Sequence, residues 1–171
     1  GHLEKAAELL EMARKLKPDS IECRMFLGMA LADLGRFQEA EPHLSRALKK
    51  APHQAEAWEN LARCQRAAGH AADAMASLEK FVALQPSNAR AHEQLGELTA
   101  MAKGFPAAEA HFRKASQLDP AIAEAWSNLG LSLIEQSGRV AEGMECFDKA
   151  LQADPFLTSA SAARALGLMR L

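Results

Sequence analysis

Residues 55–88 read AEAWENLARCQRAAGHAADAMASLEKFVALQPSN, and this stretch of 34 residues decides the fold. Trp58 and Leu61 lie three apart, and Ala74, Leu78 and Phe81 are separated by four and three. That spacing puts apolar side chains on one face of a helix. Gly69 stands between the two sets and suits the left-handed residue that ends a helix. Pro86 closes the second set; without a backbone donor it cannot continue a helix. The stretch predicts two helices joined by a tight turn.

The pattern recurs on both sides. Pro18, Pro52, Pro86, Pro120 and Pro155 are spaced by 34, 34, 34 and 35 residues. A fixed period of this size marks stacked supersecondary units. Framed as 21–54, 55–88, 89–122 and 123–157, the repeats align. A Leu-small pair comes early: Leu27-Gly28, Leu61-Ala62, Leu95-Gly96 and Leu129-Gly130. Gly35, Gly69, Gly104 and Gly138 break each repeat at its middle. Ala40, Ala74, Ala108 and Gly143 follow, then Leu44, Leu78, Phe112 and Phe147, then Ala47, Phe81, Ala115 and Ala150.

This register resembles the tetratricopeptide repeat family, whose helix–turn–helix units carry the same Leu-Gly, Ala, Phe, Ala, Pro order. The resemblance covers nearly the whole chain. It implies an all-α, right-handed superhelical solenoid: one domain over 1–171, with a half-repeat at 1–20, the four repeats, and a terminal helix at 158–171. Departures are local. Arg24 and His92 stand where Trp58 and Trp126 stand in the other repeats, Gly104 comes one position late, and the fourth repeat has one extra residue near Ser137-Gly138. The expected helices are 3–16, 21–34, 37–50, 55–68, 71–84, 89–102, 105–118, 123–136, 140–153 and 157–169. Pro106 falls at a helix start, where a missing donor costs little; Pro42 lies about a turn inside a helix, where distortion is expected.

Composition excludes several function classes. The 171 residues carry a net charge of −2 with a sequence pI near 6.3, against general nucleic-acid binding. The uncharged run Ala125–Ile134 is about half of the ~18 residues a membrane span needs, so no membrane partner is expected. Glu4, Lys5, Glu8 and Glu11 interrupt any signal-peptide apolar region. Gly1-His2 reads as an expression scar, which leaves room for an export signal cut away upstream. Cys23, Cys64 and Cys146 are odd in number and lack Cys-x-x-Cys spacing, favouring a reducing compartment and a cytoplasmic location.

No catalytic or metal set emerges, and no cofactor is expected. Gly138 and Gly143 have the spacing of a phosphate loop, but Met144-Glu145 follow where Lys and a hydroxyl are required. No two of the six histidines are spaced as a zinc pair on one helix face, and Ser132 lacks the second glycine of a nucleophile elbow. The chain therefore reads as a binding protein, not an enzyme.

The resemblance also places a site. In this family the first helix of each repeat lines a concave groove. By register the groove-facing residues include Met25, Phe26 and Met29, then Asn60, Arg63 and Arg66, then Arg90, Gln94, Glu97 and Met101, then Asn128 and Leu131. Asn60, Gln94 and Asn128 recur 34 apart, a shortened form of the family's asparagine ladder. A carboxamide donates and accepts, so it can pair with any peptide backbone. The expected peptide-binding set is Asn60, Gln94, Asn128, Arg63, Arg90, Met25 and Met29. The same register adds Glu22, Glu56, Glu59, Glu93, Glu124 and Glu135, and with Glu97 these seven glutamates favour a basic or neutral ligand. The family's clamp for an acidic C-terminal tail is mostly missing. Asn60 matches its middle element and Arg90 can stand for one Lys, but Met25, Met29 and Gln94 occupy the other slots. The expected function is a scaffold that binds a protein or peptide in the groove. The alternatives are the substrate-binding or regulatory arm of a larger enzyme, such as a glycosyltransferase or sulfotransferase, and self-association through the terminal helices.

Overall fold

A computed structural model describes residues 1–170, so the last residue of the expected terminal helix lies outside the described residues. Ten helices and no strand occur among them: α1 (His2–Leu16), α2 (Ile21–Asp33), α3 (Phe37–Leu48), α4 (Ala55–Ala67), α5 (Ala71–Leu84), α6 (Ala89–Lys103), α7 (Phe105–Leu118), α8 (Ala123–Ile134), α9 (Val140–Ala153) and α10 (Thr158–Leu168). The chain is an all-α array of helix–turn–helix repeats, and every helix lies within two residues of its expected ends. Gly35, Gly69, Gly104 and Gly138 all have φ between 73° and 87°, the conformation expected of a residue that turns the chain between paired helices. Pro106 sits in the first turn of α7, while α3 runs on through Pro42.

The chain divides into two compact units, Gly1–Pro86 and Ser87–Leu171. In the first, Leu27, Leu31, Leu44, Leu48 and Leu61 form one buried cluster with Ala32, Ala40, Ala47, Ala57 and Cys64. In the second, Phe112 packs with Ala108, Leu129 and Leu133, and Phe147 with Ile134 and Ala163. The early small residue of each repeat admits the large side chain of the following helix. A Cβ at Gly96 would lie 2.6 Å from the Phe112 ring, one at Gly130 would overlap the Phe147 ring, and one at Gly28 would lie 2.8 Å from Leu44 Cγ. Paired helices therefore meet where only a hydrogen atom fits.

A side-chain tie links successive repeats. Trp58 Nε1 donates to the Pro52 carbonyl at 2.8 Å, and Trp126 Nε1 to the Pro120 carbonyl at 3.1 Å. Arg24, a departure from the repeat pattern, donates Nη2 to the Pro18 carbonyl at 2.8 Å. A guanidinium thus makes the bond an indole makes elsewhere. Lys149 lies 4.6 Å over the Trp126 ring, a cation–π contact from α9.

Candidate functional site

The expected site residues lie on the first helices of the repeats: Met25 and Met29 on α2, Asn60 and Arg63 on α4, Arg90 and Gln94 on α6, and Asn128 on α8. The repeat register puts them there, and their surroundings differ between the units.

In the first unit, Met25 is only 6% exposed and joins the buried cluster, and Met29 is half-buried against it. Met25 is thus a core residue rather than an open groove contact. Phe26, beside it, is 50% exposed. Asn60 is buried, with both ends of its carboxamide engaged. Nδ2 donates to the Glu56 carbonyl at 2.9 Å, and Oδ1 accepts from Arg63 Nη1 at 2.8 Å. Arg63 also pairs with Asp33 at 3.0 Å.

In the second unit, Gln94 and Asn128 are half-buried and Arg90 is exposed. Asn128 lines an open apolar hollow of about 350 Å³ with Glu97, Ala100, Met101, Phe105 and Phe112. Helices α6 and α8 form its sides, and α7 supplies both aromatic rings. Met101 stands at its edge, 81% exposed. The half-buried Phe105 is what the sequence assigns to no site, while Phe112 lies beneath the hollow fully buried, as its packing position requires. The available signal was Gly96, whose missing side chain brings the Phe112 ring up to α6.

Beside the hollow the electrostatics are acidic. Glu93 is 8% exposed and hydrogen-bonded to Glu97. Burial, then the neighbouring Glu97 charge, lifts the Glu93 carboxyl well above the usual range, with Glu124 adding to the shift and Arg90 opposing it. Elsewhere in this unit acids are neutralised. Glu109 accepts from Arg113, Arg139 and Gln136 at 2.7–2.8 Å, and hydrogen bonding led by Arg139 holds its carboxyl down to about 2.

A second cleft, about 380 Å³, opens among α1, α2 and α3. Its cations are already paired, Arg14 with Glu11 and Arg36 with Glu39, each at 2.6 Å. Burial, more than the nearby Arg14 and Arg24 charges, lowers the His43 pKa. The buried cysteines are poor nucleophiles, since desolvation pushes the Cys64 and Cys146 thiols up to about 11. Among the described residues no group of three His, Cys, Asp or Glu could hold a metal ion, and no helix is long and apolar enough to cross a membrane.

Comparison with known proteins extends the picture. The family model for the tetratricopeptide repeat matches residues 25–89, 65–120 and 102–158. YrrB, a solved structure described as a TPR protein with an unusual peptide-binding site, superposes with a TM-score of 0.83 at 21% identity, covering 96% of this chain and 84% of that one. The MamA protein superposes with a TM-score of 0.78 at 26% identity, over 88% of this chain and 81% of that one. The human protein O-mannosyl-transferase TMTC1 is 25% identical over 163 residues, 91% of this chain and 18% of its own length. The chain spans less than a fifth of the length of the curated relatives it matches.

Proposed function

The chain belongs to the tetratricopeptide repeat family, and from that premise we propose that it is a non-catalytic scaffold that binds an extended peptide along the first helices of its repeats. One observation carries the reading: a carboxamide recurs at one register position in three successive repeats, at Asn60, Gln94 and Asn128. Two of the three, Gln94 and Asn128, keep partly exposed amides. Such groups pair with peptide N–H and C=O groups irrespective of sequence, and neighbouring side chains then select among peptides. Arg63 and Arg90 flank the ladder, and Met29 extends its apolar border. YrrB, alike in fold, is described as having a peptide-binding site, which supports the reading. Three unpaired cysteines support a reducing compartment.

The test is selection from a displayed random peptide library. The wild-type chain should enrich peptides that the triple variant Asn60→Ala, Gln94→Ala, Asn128→Ala no longer retains, with helical circular dichroism unchanged. Equal retention by the variant removes the ladder from the site; no enrichment by the wild type removes the groove.

The similarity to TMTC1 favours a second reading, in which this stretch is the interaction arm of a larger glycosyltransferase. The full-length gene tests it: a reading frame that carries a catalytic domain on either side of the repeats supports the arm, and a frame that encodes repeats alone argues against it.

A further inference from the structure

Helix α1 carries an apolar stripe on the side turned away from its own core. Ala7, its buried residue, joins the cluster built on α2 and α3. Leu9, Met12 and Leu16 are separated by three and four residues and share one face. At about 100° of turn per residue, that face lies roughly opposite Ala7. The three side chains are 59%, 61% and 83% exposed.

The repeats show that Met12 is out of character for its position. One to four repeats later the place is taken by Arg46, Lys80, Lys114 and Lys149, all exposed. Helices α5, α7 and α9 each follow at least one whole repeat, and the position stays open on each of them. A cation suits water there; a methionine between two leucines does not. Contiguous exposed apolar side chains rimmed by charge mark an interaction surface.

Charge selects the occupant. Glu8 and Lys15 lie seven residues, about two turns, apart and therefore border the stripe on one flank. Both are exposed, and neither side chain makes a hydrogen bond or ion pair among the described residues. Glu11 and Arg14, nearer the core, are bound to each other at 2.6 Å. The opposite flank carries only Ala6 and Ala13. A flank that is acidic toward one end and basic toward the other is complementary to an inverted copy of itself. Antiparallel pairing sets like flank against like flank, so Glu8 meets the partner's Lys15 and the contact occurs twice. Parallel pairing would set the charged flank against alanines.

We infer that α1 docks antiparallel against α1 of a second copy of this chain, with Met12 beside the two-fold axis and Leu9 over the partner's Leu16. The inference is independent of the groove reading. Three apolar side chains per copy fall short of the ~800 Å² per partner of a standard interface, so the dimer is weak and depends on concentration.

Sedimentation equilibrium of the 171-residue chain at loadings of about 10–500 μM, the range suited to a small interface, tests it. The mean mass should rise from 18.5 kDa toward twice that value and no further. Met12→Lys restores the cation of the other repeats at an exposed position. It should weaken pairing by about tenfold or more, with helical circular dichroism unchanged. Glu8→Lys and Lys15→Glu should each weaken it by about tenfold through repulsion. An equimolar mixture of those two variants should associate, because each supplies the flank the other needs. Phe156→Ser, at a turn residue that is 90% exposed, should leave pairing unchanged. A mass that stays at 18.5 kDa across the range refutes a second copy as the occupant. So does growth beyond a dimer, a dimer that survives Met12→Lys, or one lost in Phe156→Ser. If wild type pairs and the mixture of charge variants does not, the antiparallel arrangement is refuted.

Discussion

Asn60 and Asn128 stand at the same register position two repeats apart, yet one is locked and the other is open. The residue three positions on makes the difference. After Asn60 it is Arg63, whose guanidinium donates to the carboxamide at 2.8 Å. After Asn128 it is Leu131, which has no donor, and the amide lines the hollow instead. The contrast extends through the two units. At the buried position five residues into the repeat, the first repeat has Met25 and the third has Glu93, 6% and 8% exposed. Opposite the early small residue, the first unit places Leu44 and Leu78, and the second places Phe112 and Phe147. At the start of a second helix, Arg36 pairs only with Glu39, while Arg139, at the matching point, pairs with Glu142 and also with Glu109. Ala7 occupies the slot that Glu109 fills three repeats later. One backbone plan thus supports a first unit in which the ladder carboxamide is engaged and a second in which the matching carboxamide lines a hollow. It shows that the availability of a side chain can be set by a single residue within a constant repeat.

The largest effect should come from the close helix contacts. Gly130→Ala drives a methyl group into the rigid Phe147 ring, and overpacking of this kind costs about 1–3 kcal/mol. Gly28→Ala meets Leu44 Cγ at 2.8 Å, a less severe approach than the ring overlap at Gly130, and the better helix propensity of Ala returns about 1 kcal/mol at both positions. Urea titration should therefore show a clear loss of stability for Gly130→Ala and a smaller one for Gly28→Ala. Equal losses would mean that Phe and Leu build the two units alike.

Next in size is the ionic cluster. Glu109→Ala should cost about 1 kcal/mol at pH 7, more than Glu39→Ala at the isolated pair. Its pH dependence carries a sign. The folded carboxyl is held down to about 2, below its ordinary value of 4.5, so its contribution is present above about 4.5 and disappears as pH falls toward 2. Wild type and Glu109→Ala should therefore converge in stability on acidification. A gap that persists at pH 2 would show that the cluster acts through packing rather than charge.

Glu93 gives the opposite sign. Its folded carboxyl titrates above the ordinary value, so the contribution it makes is intact at low pH and is lost as pH rises through the raised value. Glu93→Met copies Met25 into the third repeat. It should stabilise the chain by about 1 kcal/mol at pH 8 and by less at pH 5, read from the urea midpoint at each pH. A pH-independent difference would mean that the folded Glu93 carboxyl titrates as it does in the unfolded chain, with no raised value.

The helical plan could be read almost completely before the structure, because glycine and proline punctuate the chain at a fixed period and each acts locally. Gly69 and Pro86 set the ends of α5 whatever packs on it. The site was legible only as a set of positions. Whether Met25 is surface or core, or whether Asn60 is available, depends on side chains from other turns and helices, and no spacing rule carries that information. Arg24 illustrates the limit from the other side: it breaks the sequence pattern and keeps the hydrogen bond. The hollow was hidden because its lining comes from three helices, with Phe112 fully buried beneath it, and no spacing rule brings those helices together.

The smallest expected effect is the sharpest test of the opening contrast. Arg63→Leu gives Asn60 the neighbour that Asn128 has. The Arg63–Asp33 pair is exposed, and pairs of this kind contribute about 0.2–1 kcal/mol, so the chain should remain folded with its stability changed by about 0.5 kcal/mol. Asn60 Oδ1 should lose its Arg63 donor, and the carboxamide signals of Asn60 should shift, which NMR of the side-chain amide can follow. Leu131→Arg makes the reverse exchange, supplying a guanidinium donor three residues after Asn128 and shifting the signals of that carboxamide. If residue +3 decides availability, the two substitutions swap the behaviour of the two asparagines. If the Asn60 signals stay unchanged in Arg63→Leu, its bond to the Glu56 carbonyl is sufficient to hold it, and the difference between the units lies in the backbone around α4 rather than in one neighbouring side chain.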